Sequence, residues 1–197
     1  MGVALSCLVE GRELYNRNMK KSVVSLLAAL CLSACGTAPV PTTQNSAPPA
    51  IALSLPASSF PVLTRFTFTA TLGPADAYLY AFFVDAQGGV AQLLPNRYDS
   101  APGDVSHPAG EVVTFPPADA RYYVLTDGTT GPATLLAFVS TAPLNLGAVS
   151  AYEGQNPFAT AKVSGLEPLS AALKVAADSL PGTLYAETRA AFTVTAP

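Results

Sequence analysis

Residues 66–72 alternate strictly: Phe66, Phe68, Ala70 and Leu72 fall on one side, Thr67, Thr69 and Thr71 on the other. A period of two with one polar side predicts a half-buried strand. Residues 77–84 are apolar on both sides, with Tyr78, Tyr80 and Phe82 alternating with Leu79, Ala81 and Phe83. That pattern predicts a central strand covered on both faces. Asp85-Ala86-Gln87-Gly88-Gly89 then reads as a turn, and residues 90–94 as the returning arm of a hairpin. Further strands are predicted at 111–115, 121–125 and 134–140, with turns at Pro116-Pro117 to Ala120 and at Asp127-Gly128. Residues 96–110 between them are polar and read as one long loop, a kind of segment that is often functional.

The period changes after Pro168. Leu169, Leu173, Ala176 and Leu180 recur at helical spacing, Pro168 suits a first helical position, and Pro181-Gly182 is a stop. Residues 183–195 alternate again as a last strand. Many short strands with turns between them predict an antiparallel β-sandwich, Ig-like in general architecture, with one added C-terminal helix. Residues 51–197 are long enough to hold this as a single domain.

The beginning of the chain has another character. Met19-Lys20-Lys21 precedes an apolar run over 22–32, which ends in Leu32-Ser33-Ala34-Cys35. Basic residues followed by an apolar core form a signal peptide, and this core, about 11 residues long, falls short of the roughly 18–20 that span a bilayer. Small residues before a cysteine match the lipobox of bacterial lipoproteins. Cleavage there frees Cys35, whose thiol takes a diacylglycerol through a thioether. Residues 1–34 are therefore read as signal peptide. Glu10 and Glu13 place acidic charge where a signal is usually basic, so translation is read as starting at Met19, the alternative being a long leading region. Residues 35–50, rich in Pro, Thr and Ser, read as a disordered tether reaching a few tens of Å at most.

Processing leaves Cys35 as the one cysteine, since Cys7 and Cys31 precede it, so neither a disulfide nor a cysteine metal site is expected. Of 10 basic and 13 acidic residues, four and two precede Cys35, which leaves 6 and 11 and a net charge of −5. Six scattered cations cannot form the dense positive surface that phosphate backbones require, so nucleic acid is not an expected partner. The membrane contact comes from lipid alone, and two acyl chains give stable anchoring where one does not.

Residues 77–146 resemble a bacterial family known as domain of unknown function 4384. The resemblance is carried by Tyr78-Leu79-Tyr80-Ala81-Phe82, Asp85 with Gly88 or Gly89, and Leu93-Leu94-Pro95-Asn96. Residues 112–116, Thr134 to Val139 and Pro143-Leu144 complete it. Gly131-Pro132-Ala133 departs from the Gly and charged residue that the family often has before its closing strand. The resemblance implies a small β-rich, non-catalytic module of envelope or signalling proteins, with no active-site residues to carry over.

Candidate chemistry is sparse. His107, near Asp104 and Ser106, lacks an elbow motif and reads as a surface-loop histidine rather than part of a hydrolase triad. Asp85, Asp99, Asp104 and Asp127 lie in turns and loops without calcium-binding spacing and read as turn residues, so no metal and no cofactor are expected. Most of Tyr78, Tyr80, Phe82, Tyr98, Tyr122 and Tyr123 reads as core. Arg97 and Tyr98 in the long loop read as an exposed pair of the composition that binding surfaces favour, and are the candidate partner contacts. The expected function is a non-catalytic, membrane-tethered module that binds an envelope protein. Glycan or small-ligand binding near residues 96–110 is the alternative, and a hydrolase using His107 the third reading.

Overall fold

Alternation becomes a large sheet, a small sheet and one separate strand pair in the computed structural model, which describes residues 7–9, 47–99, 106–126 and 129–197. Among these residues the strands are β1 Cys7–Val9, β2 Ile51–Ser54, β3 Ser59–Pro61, β4 Phe68–Leu72, β5 Ala77–Val84, β6 Val90–Leu94 and β7 Ser106–His107. They continue as β8 Val112–Phe115, β9 Tyr122–Val124, β10 Gly131–Ser140, β11 Ser150–Ala151, β12 Thr160–Ala161 and β13 Tyr185–Thr195. One α-helix, α1, covers Leu166–Asp178, and a single 3-10 turn covers Leu146–Ala148. The large sheet has the order β11-β12-β6-β5-β10-β13-β3, with β7 beside β5. The small sheet is β2-β4-β8, and β1 pairs with β9. Met19, Cys35 and most of the expected signal and tether lie outside the described residues. No helix among the described residues is long and apolar enough to cross a membrane.

Both faces of β5 are covered, as its pattern requires. Leu79, Ala81 and Phe83 enter one core with Phe68, Ala70 and Leu72 of β4 and Phe115 of β8. Tyr80, Phe82 and Val84 enter a second core with Leu169, Leu173 and Ala177 of α1. Its neighbour β10 divides in the same way, Leu135, Ala137 and Val139 against the small sheet and Leu136 and Phe138 against the helix. The helix therefore forms a third layer over the outer face of the sandwich's large sheet. The pairing is antiparallel except where β3 runs parallel to β13, a departure from the all-antiparallel expectation.

Several expected boundaries move. The helix begins at Leu166, two residues before Pro168, which sits within the first turn where backbone N–H groups have no intrahelical acceptor to lose. Its buried stripe is Leu169, Leu173 and Ala177, at a spacing of four, so Ala177 takes the place expected for Ala176. Arg189 ties the helix to β13: its Nη1 lies 2.6 Å from Glu167 Oε1 and its Nε 2.7 Å from Glu187 Oε1. The hydrogen bond from Arg189 holds the Glu167 carboxyl below its ordinary value. Contacts with the domain begin just before residue 51: Pro49 is buried and the Ala50 carbonyl accepts the Gly73 N–H at 2.7 Å. The expected turn at Asp127-Gly128 lies outside the described residues.

The Gly131-Pro132-Ala133 step has a physical reason. Gly131 opens β10 at φ +129°, a conformation that residues with a side chain rarely adopt. A Cβ there would lie 2.9 Å from the Ala86 Cβ in the facing hairpin turn. Gly131→Ala is expected to cost at least about 1–2 kcal/mol, seen as a lower urea midpoint with an unchanged slope.

Candidate interaction surface

The turn after β6 is organised by a buried asparagine. Asn96 Oδ1 accepts the backbone N–H groups of Tyr98 (2.9 Å) and Asp99 (3.0 Å). Its Nδ2 donates to the Leu93 carbonyl and to Asp99 Oδ2, each at 2.9 Å. The Tyr122 hydroxyl donates to the same Asp99 carboxylate. Asparagine is suited to this place because one short side chain offers two donors and an acceptor with two lone pairs.

The turn sets apart the two expected contact residues. Arg97 is exposed, but its side chain is committed to its own chain: Nη1 donates to the Gly154 (2.6 Å) and Asn156 (3.2 Å) carbonyls, and the guanidinium lies 4.5 Å from the Tyr152 ring centre. The Tyr152 hydroxyl donates to the Pro95 carbonyl at 2.8 Å. Burial raises the Tyr152 phenol above its ordinary value, against the opposing pull of the Arg97 charge. Arg97 thus clamps residues 152–157 onto the turn. Tyr98 stays 43% exposed, with its ring stacked 4.7 Å from Tyr122 and edge-on to Phe158 at 6.0 Å.

Beside this stack is an open cleft of about 470 Å³, walled by Tyr98, Asp99, Pro117, Asp119, Arg121 and Tyr122 among others. An aromatic face, carboxylates and a guanidinium around one depression offer stacking and charged hydrogen bonds to a visiting chain. All six named residues lie in one continuous region of the sequence. Residues 63–143 match the family described as Domain of unknown function (DUF4384). The DUF4384 segment includes β4, which lies before the start of the resemblance at residue 77, and it ends three residues short of 146. It holds the whole named wall of the cleft, whereas Tyr152, the Arg97 acceptors, α1 and β13 lie beyond it. No curated protein and no solved structure matches the chain.

Within the DUF4384 segment, His107 is not the surface-loop residue expected. It lies on β7, opposite Ala77 of β5, with only 9% exposed, so a strand interrupts the predicted long loop. Its Nδ1 lies 2.9 Å from Oε2 of Glu111, four residues on. Ser106 is exposed, and strand alternation sends it to the side opposite His107, so the two do not form a nucleophile–base pair. Asp104 and Asp127 lie outside the described residues. Asp85 behaves as a turn residue, its Oδ1 accepting the N–H groups of Gln87 (2.8 Å) and Gly89 (2.7 Å).

Proposed function

We propose that this protein is a non-catalytic cell-envelope lipoprotein, anchored by lipid on Cys35, whose β-rich domain binds a protein partner. The observation that carries the reading is the run Leu32-Ser33-Ala34-Cys35 behind a short apolar core, followed by a Pro, Thr and Ser spacer. Anchoring confines the domain to a membrane surface and raises its effective concentration toward envelope partners without any new contact. Tyr98 is the contact residue. An exposed aromatic ring held on a rigid platform loses little entropy on binding. Arg97 contributes indirectly, by holding the loop beside that platform. The second reading, a glycan or small ligand, is favoured by the cleft walled by Tyr98, Asp99 and Arg121.

Crosslinking in intact cells, followed by mass spectrometry of the detergent-extracted complex, separates the two. An abundant envelope protein is expected with the wild type, reduced about tenfold or more by Tyr98→Ala, as loss of a contact worth about 1.4 kcal/mol requires. The same partner recovered equally with Tyr98→Ala contradicts the assignment of Tyr98. Absence of any protein partner favours the ligand reading, and thermal shift with wall sugars tests it.

A further inference from the structure

The short strand β9 has two edges with different fates. On one edge Phe66 N–H donates to the Val124 carbonyl (2.8 Å) and Thr126 N–H to the Thr64 carbonyl (2.9 Å), around a bridge between Arg65 and Leu125. Backbone groups alternate along a strand, so those of Tyr123 point to the opposite edge. There lies β1, antiparallel, with Cys7 opposite Val124, Leu8 opposite Tyr123 and Val9 opposite Tyr122. No other described strand pairs with β9 on that side.

Residues 7–9 precede Cys35. Whether translation begins at Met1 or Met19, the mature lipoprotein lacks them. The outward N–H and C=O of Tyr123 then lose their partner, and an edge of this kind is a template for a further strand. The neighbouring side chains define what fits. Arg65 lies over the Tyr123 ring, 4.7 Å from its centre, and Arg121 precedes β9. Both are exposed, and they are two of the six cations after Cys35. Antiparallel order brings the residue after an added strand toward Arg121, so an acidic residue at that place suits the charge of this edge. A second copy fits less well. Edge-to-edge pairing about Tyr123 would bring two Arg65 guanidinium groups to one seam, and like charges across a ladder disfavour it.

We infer that the outer edge of β9 is a strand-addition site, opened when residues 1–34 are absent, for an extended apolar segment of a partner protein followed by an acidic residue. This rests on the processing at Cys35 proposed above and specifies how the partner is held.

The test uses the processed protein extracted from membranes, its N-terminus first read by intact mass. A chain that does not begin at Cys35 overturns the processing and the inference with it. The probe is a synthetic peptide of the sequence Leu5 to Glu10 with Ser in place of Cys7. Saturable binding is expected, with exchange of the Tyr123 amide slowed about tenfold or more. Methylating the peptide nitrogen of Leu8, which faces Tyr123, is expected to abolish binding. Methylating that of Val9, which faces away, leaves it. A chain beginning at Met1 and carrying Cys35→Ala keeps β1 and is expected to bind about tenfold more weakly or worse, because the tethered segment competes. Three results overturn the inference alone: no binding to protein shown to begin at Cys35, equal binding of both methylated peptides, or Tyr123 protection that rises with protein concentration without peptide.

Discussion

Phe66→Ala is expected to destabilise the domain by about 3–5 kcal/mol. Phe66 is fully buried where the two sheets meet, with ring centres 5.4 Å from Phe60, 5.7 Å from Phe83 and 5.2 Å from Phe192. Those neighbours stand on β3, β5 and β13, so no single element can move in to fill the space. Truncation therefore loses both the transfer energy of the ring and the contacts of the cavity lining. The melting temperature should fall by about 6–20 °C for a domain of this size. Val175→Ala is the control. Val175 is 69% exposed on α1, and alanine there is expected to change stability by less than about 0.5 kcal/mol. Similar losses in the two variants would show that Phe66 does not hold the sandwich together.

Asn96→Ala is expected to cost about 2–4 kcal/mol, although it removes only a small side chain. The substitution strips the acceptor from the Tyr98 and Asp99 amides and the donor from the Leu93 carbonyl, and alanine replaces none of them. Asn96 and Leu93 are both buried, so the Leu93 carbonyl loses this partner where water does not readily replace it. The loss should be local as well as global. Amide exchange at Tyr98 and Asp99 should speed up more than at Leu136, which lies at the centre of β10. Uniform acceleration across the domain would mean that Asn96 has no special hold on the turn. In a variant that remains folded, partner crosslinking should weaken too, since the Tyr98 platform is built on this side chain.

The parts of this molecule that were legible in the sequence are those where burial alone dictates the pattern. The two-sided apolar run of β5 announced a covered sheet, and the Leu169 and Leu173 spacing announced the helix that covers it. Strand 77–84 and the hairpin arm 90–94 have the bounds that the pattern predicts. What stayed hidden depends on partners distant in sequence. Arg97 looked available because its acceptors, Gly154 and Asn156, lie 57 and 59 residues further on. His107 looked like a loop residue because a two-residue strand carries no periodicity, and its burial follows from pairing with β5. Asn96 looked like the end of a hairpin, and nothing local distinguishes an exposed turn asparagine from a buried one that holds Leu93, Tyr98 and Asp99. The parallel β3 and β13 pair joins segments at opposite ends of the domain, which local alternation does not relate.

Presentation of the domain from a membrane by lipid on Cys35 is the central proposal, and the intact mass of the protein extracted from cell membranes tests it most directly. The prediction is a membrane-bound chain that begins at Cys35 and carries a diacylglyceryl group, with Cys35→Ala unprocessed and without lipid. An unmodified chain that begins upstream of Cys35, or wild-type protein recovered wholly in the soluble fraction, would contradict lipid anchoring at Cys35.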